Sequence, residues 1–214
     1  FIGGIAFADD PITTPIYNNG GTLGDLNVNY ENTTYMPAAI YNYNGGVIGN
    51  ITGDFTNNVA NAILNQGGTV GDITGDFIGN WCGINSNSYT STFGNITGKF
   101  ENNTKNGGLN AAYSTVKDIS GEFNYNTNTS ASFPYTSGGG LTVKNAGNIN
   151  ANFTGNYSSL YGGAIDIGVG GTVGDITGDF TNNGASTGGA IATTGSGFVN
   201  VGNITGDFTG NYAV

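Results

Sequence analysis

The chain carries 14 acidic residues and four Lys over 214 positions, with no Arg and no His, for a formal net charge of −10. That balance excludes a nucleic-acid partner and removes the side chain most used for acid–base catalysis and metal ligation. Forty Gly, runs of Thr and Asn, and no sustained 3.6-residue apolar period exclude a helical fold, and no apolar run reaches membrane-spanning length.

A ten-residue unit organises the rest. It starts at Gly24, Gly49, Gly71, Gly94, Lys117, Gly147, Gly174 and Gly202, 22 to 30 residues apart, and reads most clearly as GDITGDFTNN at 174–183. That period suits one solenoid turn. In chain order, each turn opens with an apolar lead-in: Leu23, Ile48, Val70, Phe93, Val116, Ala146, Val173 and Val201. A Gly-Asp or Gly-Asn pair then marks a corner in most copies. The second position alternates Asp25, Asn50, Asp72, Asn95, Asp118, Asn148, Asp175 and Asn203, which doubles the spacing of stacked carboxylates and offers each an amide donor.

The third position is aliphatic (Leu26, Ile51, Ile73, Ile96, Ile119, Ile149, Ile176, Ile204) and the seventh aromatic (Tyr30, Phe55, Phe77, Phe100, Phe123, Phe153, Phe180, Phe208). Their even separation points both inward in a strand. The fifth position between them is Gly in six copies, with Val28 and Ala151 in the others, which suggests a small slot beside the ring. The tenth is Asn58, Asn80, Asn103, Asn126, Asn156, Asn183 and Asn211, with Thr33 in the first copy. Stacked Asn predicts an amide ladder closing a turn, because Asn tolerates φ > 0 and amides bond from rung to rung. A third strand follows, marked by Ile40, Ile63, Ile84, Leu109, Leu141, Ile165 and Ile191.

These columns predict an all-β fold: a single right-handed parallel β-helix of about eight coils, three short strands per coil, with residues 1–214 as one repeat domain or a stretch of a longer array. The closing ITGDFTGNYAV fits the opening FIGGIAF, since the spacing from Asn211 to Gly3 across the join equals that from Asn156 to Gly162. The expected partners are therefore neighbouring repeats of a longer chain, or further copies stacked head to tail through open ends as a filament. FIGGIAFADD has no basic residue, unlike a signal peptide, so either an export signal was removed or the chain is a segment. Cys82 is alone and is expected as a buried thiol.

GGAI at 162–165 and 188–191, with FTNN at 55–58 and 180–183, FIGN at 77–80, FENN at 100–103 and FTGN at 153–156 and 208–211, resembles the GGA[ILV] and FxxN repeats of chlamydial polymorphic outer-membrane proteins and related autotransporter adhesins. The resemblance covers nearly the whole chain. It implies a β-helix passenger at a bacterial cell surface, extracellular, with adhesion or display as its role and a host glycan or protein as its partner. GGAI is degenerate elsewhere (AAI at 38–40, NAI at 61–63, CGI at 82–84, GGL at 107–109), and no C-terminal translocator barrel is present in the sequence.

Exposed aromatics in the insertions are the candidate binding residues: Phe133 and Tyr135 in TNTSASFPYTSGGG at 127–140, and Tyr35, Tyr41 and Tyr43 after the first unit. The competing reading is that alternate tyrosines stack on neighbouring rungs. Adjacent carboxylates at Asp54 and Asp76, and at Asp179 and Asp207, offer oxygen ligands for structural Ca²⁺ but lie in no recognisable calcium loop, so no cofactor is expected. Lys99, between Asp76 and Glu122, reads as a counter-charge. The Thr rows beside these carboxylates read as a solvated face and not an ice-binding plane. Polysaccharide cleavage would need paired acids outside the columns; Asp9 with Asp10, and Asp166 in a GGAI strand, are the candidates, and no enzyme activity is expected.

Overall fold

The computed structural model describes Ile12 and residues 14–130, 137–195 and 197–214. Among these there is no helix, and thirty short strands wind into a solenoid of about eight coils whose ladders are parallel, save one isolated antiparallel bridge. Three sheets run along it. The main sheet carries the repeat unit, in strands such as Ile96–Glu101, Ile119–Asn124 and Ile149–Thr154. The flank sheet carries both the lead-ins, such as Val47–Ile48, and the closing strands, such as Asn61–Gln66. The two fuse into single strands at Leu109–Val116, Leu141–Ala146 and Ile165–Val173. A third, four-stranded sheet follows the Asn column in the later coils: Thr127–Asn128, Tyr157–Tyr161, Gly184–Thr187 and Tyr212–Ala213.

Like pairs with like across coils. Ile51 registers with Ile73, Ile73 with Ile96 and Ile96 with Ile119, and the closing column runs from Ile16 through Ile40, Ile63, Ile84, Leu109, Leu141 and Ile165 to Ile191. The aromatic column is continuous from Tyr30 to Phe208, with ring centroids 4.6 to 5.7 Å apart and planes within 21°. Each fully buried ring contributes about 2–3 kcal/mol by leaving water, before any gain from stacking.

The sequence suggests core volume as the reason for Gly at the fifth position; the structure gives another. Gly53 has φ of +143°, and a Cβ there would sit 1.8 Å from the Val28 carbonyl oxygen. The position is held by backbone direction. Val28 and Ala151 occupy it as buried core residues.

The left-handed residue of the turn is likewise not the tenth but the ninth: Asn32, Asn57, Gly79, Asn102, Tyr125, Gly155, Asn182 and Gly210 all have φ between 53° and 69°. The tenth-position Asn side chains point inward beside the rings instead. From Asn80 to Asn183 each Oδ1 accepts the backbone N–H of the preceding Asn and each Nδ2 donates to an aromatic residue's carbonyl, and the Nδ2 of Asn58, Asn103, Asn126, Asn156 and Asn183 donates to the next Oδ1 as well. Every polar atom of these buried amides is satisfied, so the column costs nothing in unpaired groups.

The exposed Asp/Asn column also bonds along the axis, but through the backbone. Asn50 N–H donates to Asp25 Oδ1 (2.8 Å), Asp72 N–H to Asn50 Oδ1 (2.9 Å) and Asn95 N–H to Asp72 Oδ1 (2.7 Å). Both residue types supply the Oδ1 acceptor; alternation serves to separate the charges. Asp175 also receives an Asn side-chain amide, from Asn203 at 3.3 Å.

The two end coils differ. At the first, Ile12 N–H donates to Asn29 O (2.7 Å), Tyr30 Oη donates to Thr14 O (2.9 Å), and Leu26, Val28 and Tyr30 are all buried. At the last described coil, Ile204 is 47% and Phe208 50% exposed.

Candidate functional site

Of the five candidate aromatics, Phe133 and Tyr135 lie outside the described residues. The strand Ala38–Tyr43 brings Tyr41 and Tyr43 to the same outward face, their rings stacked at 4.4 Å. Tyr35 stands apart near the Met36-Pro37 turn, 38% exposed. Tyr17, which no part of the repeat pattern singles out, takes its place: it registers with Tyr41, meets its ring edge-on at 6.2 Å and is 49% exposed. Tyr17 Oη donates to the Met36 carbonyl (3.1 Å) and Tyr41 Oη to Gln66 Oε1. Partial burial and the neighbouring Tyr43 push the Tyr41 phenol pKa up.

Beneath this face runs a polar column absent from the sequence reading. Asn18 Nδ2 donates to Asn42 Oδ1 (2.8 Å) and Asn42 Nδ2 to Asn65 Oδ1 (3.1 Å), and each Nδ2 also reaches the second Gly of a Gly-Gly turn: Gly21, Gly46 and Gly68. Asn ahead of Gly-Gly, in YNNGG, YNYNGG and LNQGG, was the available signal.

The carboxylate pairs considered for Ca²⁺ stack in register with the main sheet, and each lower partner accepts the next backbone N–H: Asp76 to Asp54 at 2.9 Å and Asp207 to Asp179 at 3.0 Å. No group of three or more acidic or Cys side chains with metal-binding geometry occurs among the described residues. Lys99 pairs directly with Glu101 on its own strand. That hydrogen bond, with Glu122 and Asp76 further off, raises the Lys99 pKa. Cys82 is fully buried, and burial pushes its thiol well above the usual range, leaving it unreactive.

Asp166 is the unusual acid. Its neighbours Ile165 and Ile167 face the core, so its side chain leaves the sheet on the opposite side, yet it is wholly buried. Residues 137–140 fold over it. Ser137 N–H donates to Oδ2 (2.7 Å), Gly138 N–H to Thr142 Oγ1 (2.7 Å), and Ser158 Oγ donates to the Ser137 carbonyl. Among the described residues neither Oδ1 nor Thr194 Oγ1 makes a hydrogen bond of good geometry, although Thr194 lies close enough to act on the carboxyl. Burial raises the carboxyl pKa to about 7, against a smaller downward pull from Ser137 and Thr194.

An acid whose folded pKa is raised contributes stability in full below its unfolded pKa, about 4, and loses it as pH rises through about 7. The Asp166→Asn chain removes the charge while keeping an acceptor for Ser137. Its advantage over the parent is expected to grow from near zero at pH 4 to at most about 4 kcal/mol at pH 8. Thermal midpoints of both chains across that range check this; a difference independent of pH contradicts it.

A groove of about 470 Å³ follows the corner between lead-in and repeat unit, walled by Thr69, Thr92 and Thr115 on one side and Asn50, Asp72 and Lys117 on the other. It collects one carboxylate and one amine. No protein-family model, curated protein or solved structure matches the chain, so its family stands on no similarity beyond the repeats themselves.

Proposed function

We propose that the protein is a rigid structural and adhesive β-helix acting at the outside of a bacterial cell, in the manner of the autotransporter adhesins whose repeats it resembles. The observation that carries this reading is the saturated interior: the buried amides from Asn126 to Asn183 use both donors and the acceptor twice, beside an unbroken ring stack. Such an interior supplies stiffness, and the side chains that differ between coils lie on its outer surface. Beads coated with the full chain are expected to adhere to epithelial cells above albumin-coated beads. Equal adherence rejects the adhesive part of the reading.

A second reading is head-to-tail self-assembly: a further coil of the same pattern, whether from a second copy or from a longer chain, would cover the half-exposed Ile204 and Phe208 of the last described coil. The strap of Ile12 and Thr14 over the first coil opposes it, because a stacking copy must displace those contacts. Sedimentation that stays monomeric with rising concentration rejects self-assembly without touching adhesion.

A further inference from the structure

The tyrosines of the flank sheet do not behave as a stacking column. Buried columns repeat one side-chain type in coil after coil, whereas Tyr17 and Tyr41 are followed in register by Leu64 and then Asn85, and Tyr43 by Gln66. Their orientation is nevertheless fixed. Tyr17 Oη is tied to the Met36 carbonyl and Tyr41 Oη to Gln66, so the rings are held before any ligand arrives. Tyr17 stands at 88° to Tyr41 and is half exposed to solvent.

Among the described residues the strands beside these rings carry no charge: segments 16–23, 35–49 and 59–70 contain no Asp, Glu or Lys, in a chain of net charge −10. Charge enters only further along the axis, where Lys105 lies over the Trp81 ring at 4.4 Å and Lys144 over Tyr89 at 5.2 Å. The polar groups beside the rings are carboxamides: Gln66, and Asn44, whose Nδ2 donates to Asn19 Oδ1 at 2.8 Å. An uncharged strip on an anionic protein offers nothing to an ionic ligand. It suits a neutral one with apolar faces and a hydroxyl rim, which describes a pyranose.

We propose that Tyr17, Tyr41 and Tyr43, with Gln66, form a binding strip for a neutral carbohydrate chain. Sugar rings stack on the phenol faces, and their hydroxyls meet the carboxamides of Gln66, Asn19 and Asn44. The proposal rests on the adhesive reading above and names the ligand class for it.

The test is calorimetric titration of the full chain with cellohexaose, laminarihexaose and mannohexaose, and with a heparin hexasaccharide as the charged control, at low and high salt. At least one neutral hexasaccharide is expected to bind with an affinity insensitive to salt. Tyr17→Ala and Tyr41→Ala are each expected to weaken it about tenfold, with the circular dichroism and thermal midpoint of the parent, because neither ring belongs to the core. Binding of heparin alone, binding of none, or undiminished binding by the double variant overturns the proposal. If beads still adhere while no neutral hexasaccharide binds, the strip proposal fails and the adhesive reading stands. If adherence is lost in the double variant and no sugar binds, the strip meets a protein instead.

Discussion

A Phe123→Asp chain is expected to lose at least about 4 kcal/mol of stability and, at 25 °C, most of its folded population. Phe123 is wholly buried between Phe100 at 4.6 Å and Phe153 at 4.9 Å, with planes within 13°. Removing the ring opens a gap in a single-file column, and a carboxylate in its place finds only rings and aliphatic side chains above and below. Neutralising it by protonation is itself costly at pH 7. In a solenoid the damage begins locally, so loss of the central coils should precede loss of the ends. A urea midpoint equal to that of the parent would mean that the ring does not face inward.

Asn126→Ala is expected to cost a similar amount, about 3–6 kcal/mol, by a different route. The substitution removes the acceptor shared by Asn103 N–H and Nδ2, and the Nδ2 donor to both Phe100 O and Asn156 Oδ1. Four buried polar groups on three residues are left with a bond unmade in a site closed to solvent. Asn95→Ala provides the contrast. Asn95 Oδ1 also accepts a backbone N–H, from Asp118 at 3.3 Å, but the bond is exposed and water replaces it, so the expected cost is within about 1 kcal/mol. Equal midpoints for the two variants would contradict the burial of the tenth-position ladder.

The columns were legible because solenoid geometry repeats each environment every turn, so one side-chain requirement is written eight times. Lead-in, aliphatic, aromatic and Asn positions could all be read this way, and each registers with its own kind in the fold. The positive-φ column was hidden because its requirement concerns the backbone: Asn57, Gly79 and Tyr125 satisfy it equally, so no single residue type marks it. Gly at the fifth position was visible, but the close approach to the carbonyl of the coil before it was not, because that contact joins coils.

Positions outside the columns were harder to read for the same reason. Asp166 stood out as an acid in a GGAI strand, yet its burial depends on residues 137–140 folding back across the sheet, some thirty positions earlier, a packing that no local pattern encodes. Tyr41 and Tyr43 were visible as a cluster, but their true companion is Tyr17, one coil away and ahead of the first repeat unit. Lys99 was read along the column axis, whereas its partner Glu101 lies two residues on along its own strand.

Native-state hydrogen exchange of the tenth-position amides tests most directly the saturated, rigid interior on which the account depends. The backbone N–H groups of Asn80, Asn103, Asn126 and Asn156 each donate to the buried Oδ1 of the next rung. They are expected to exchange only through unfolding of whole coils, at rates that fall together as stability rises, while the exposed Asn95 and Asp118 amides exchange orders of magnitude faster. Fast exchange at Asn103 and Asn126 in the folded protein would contradict the account, because it would mean that the ladder opens without the coils coming apart.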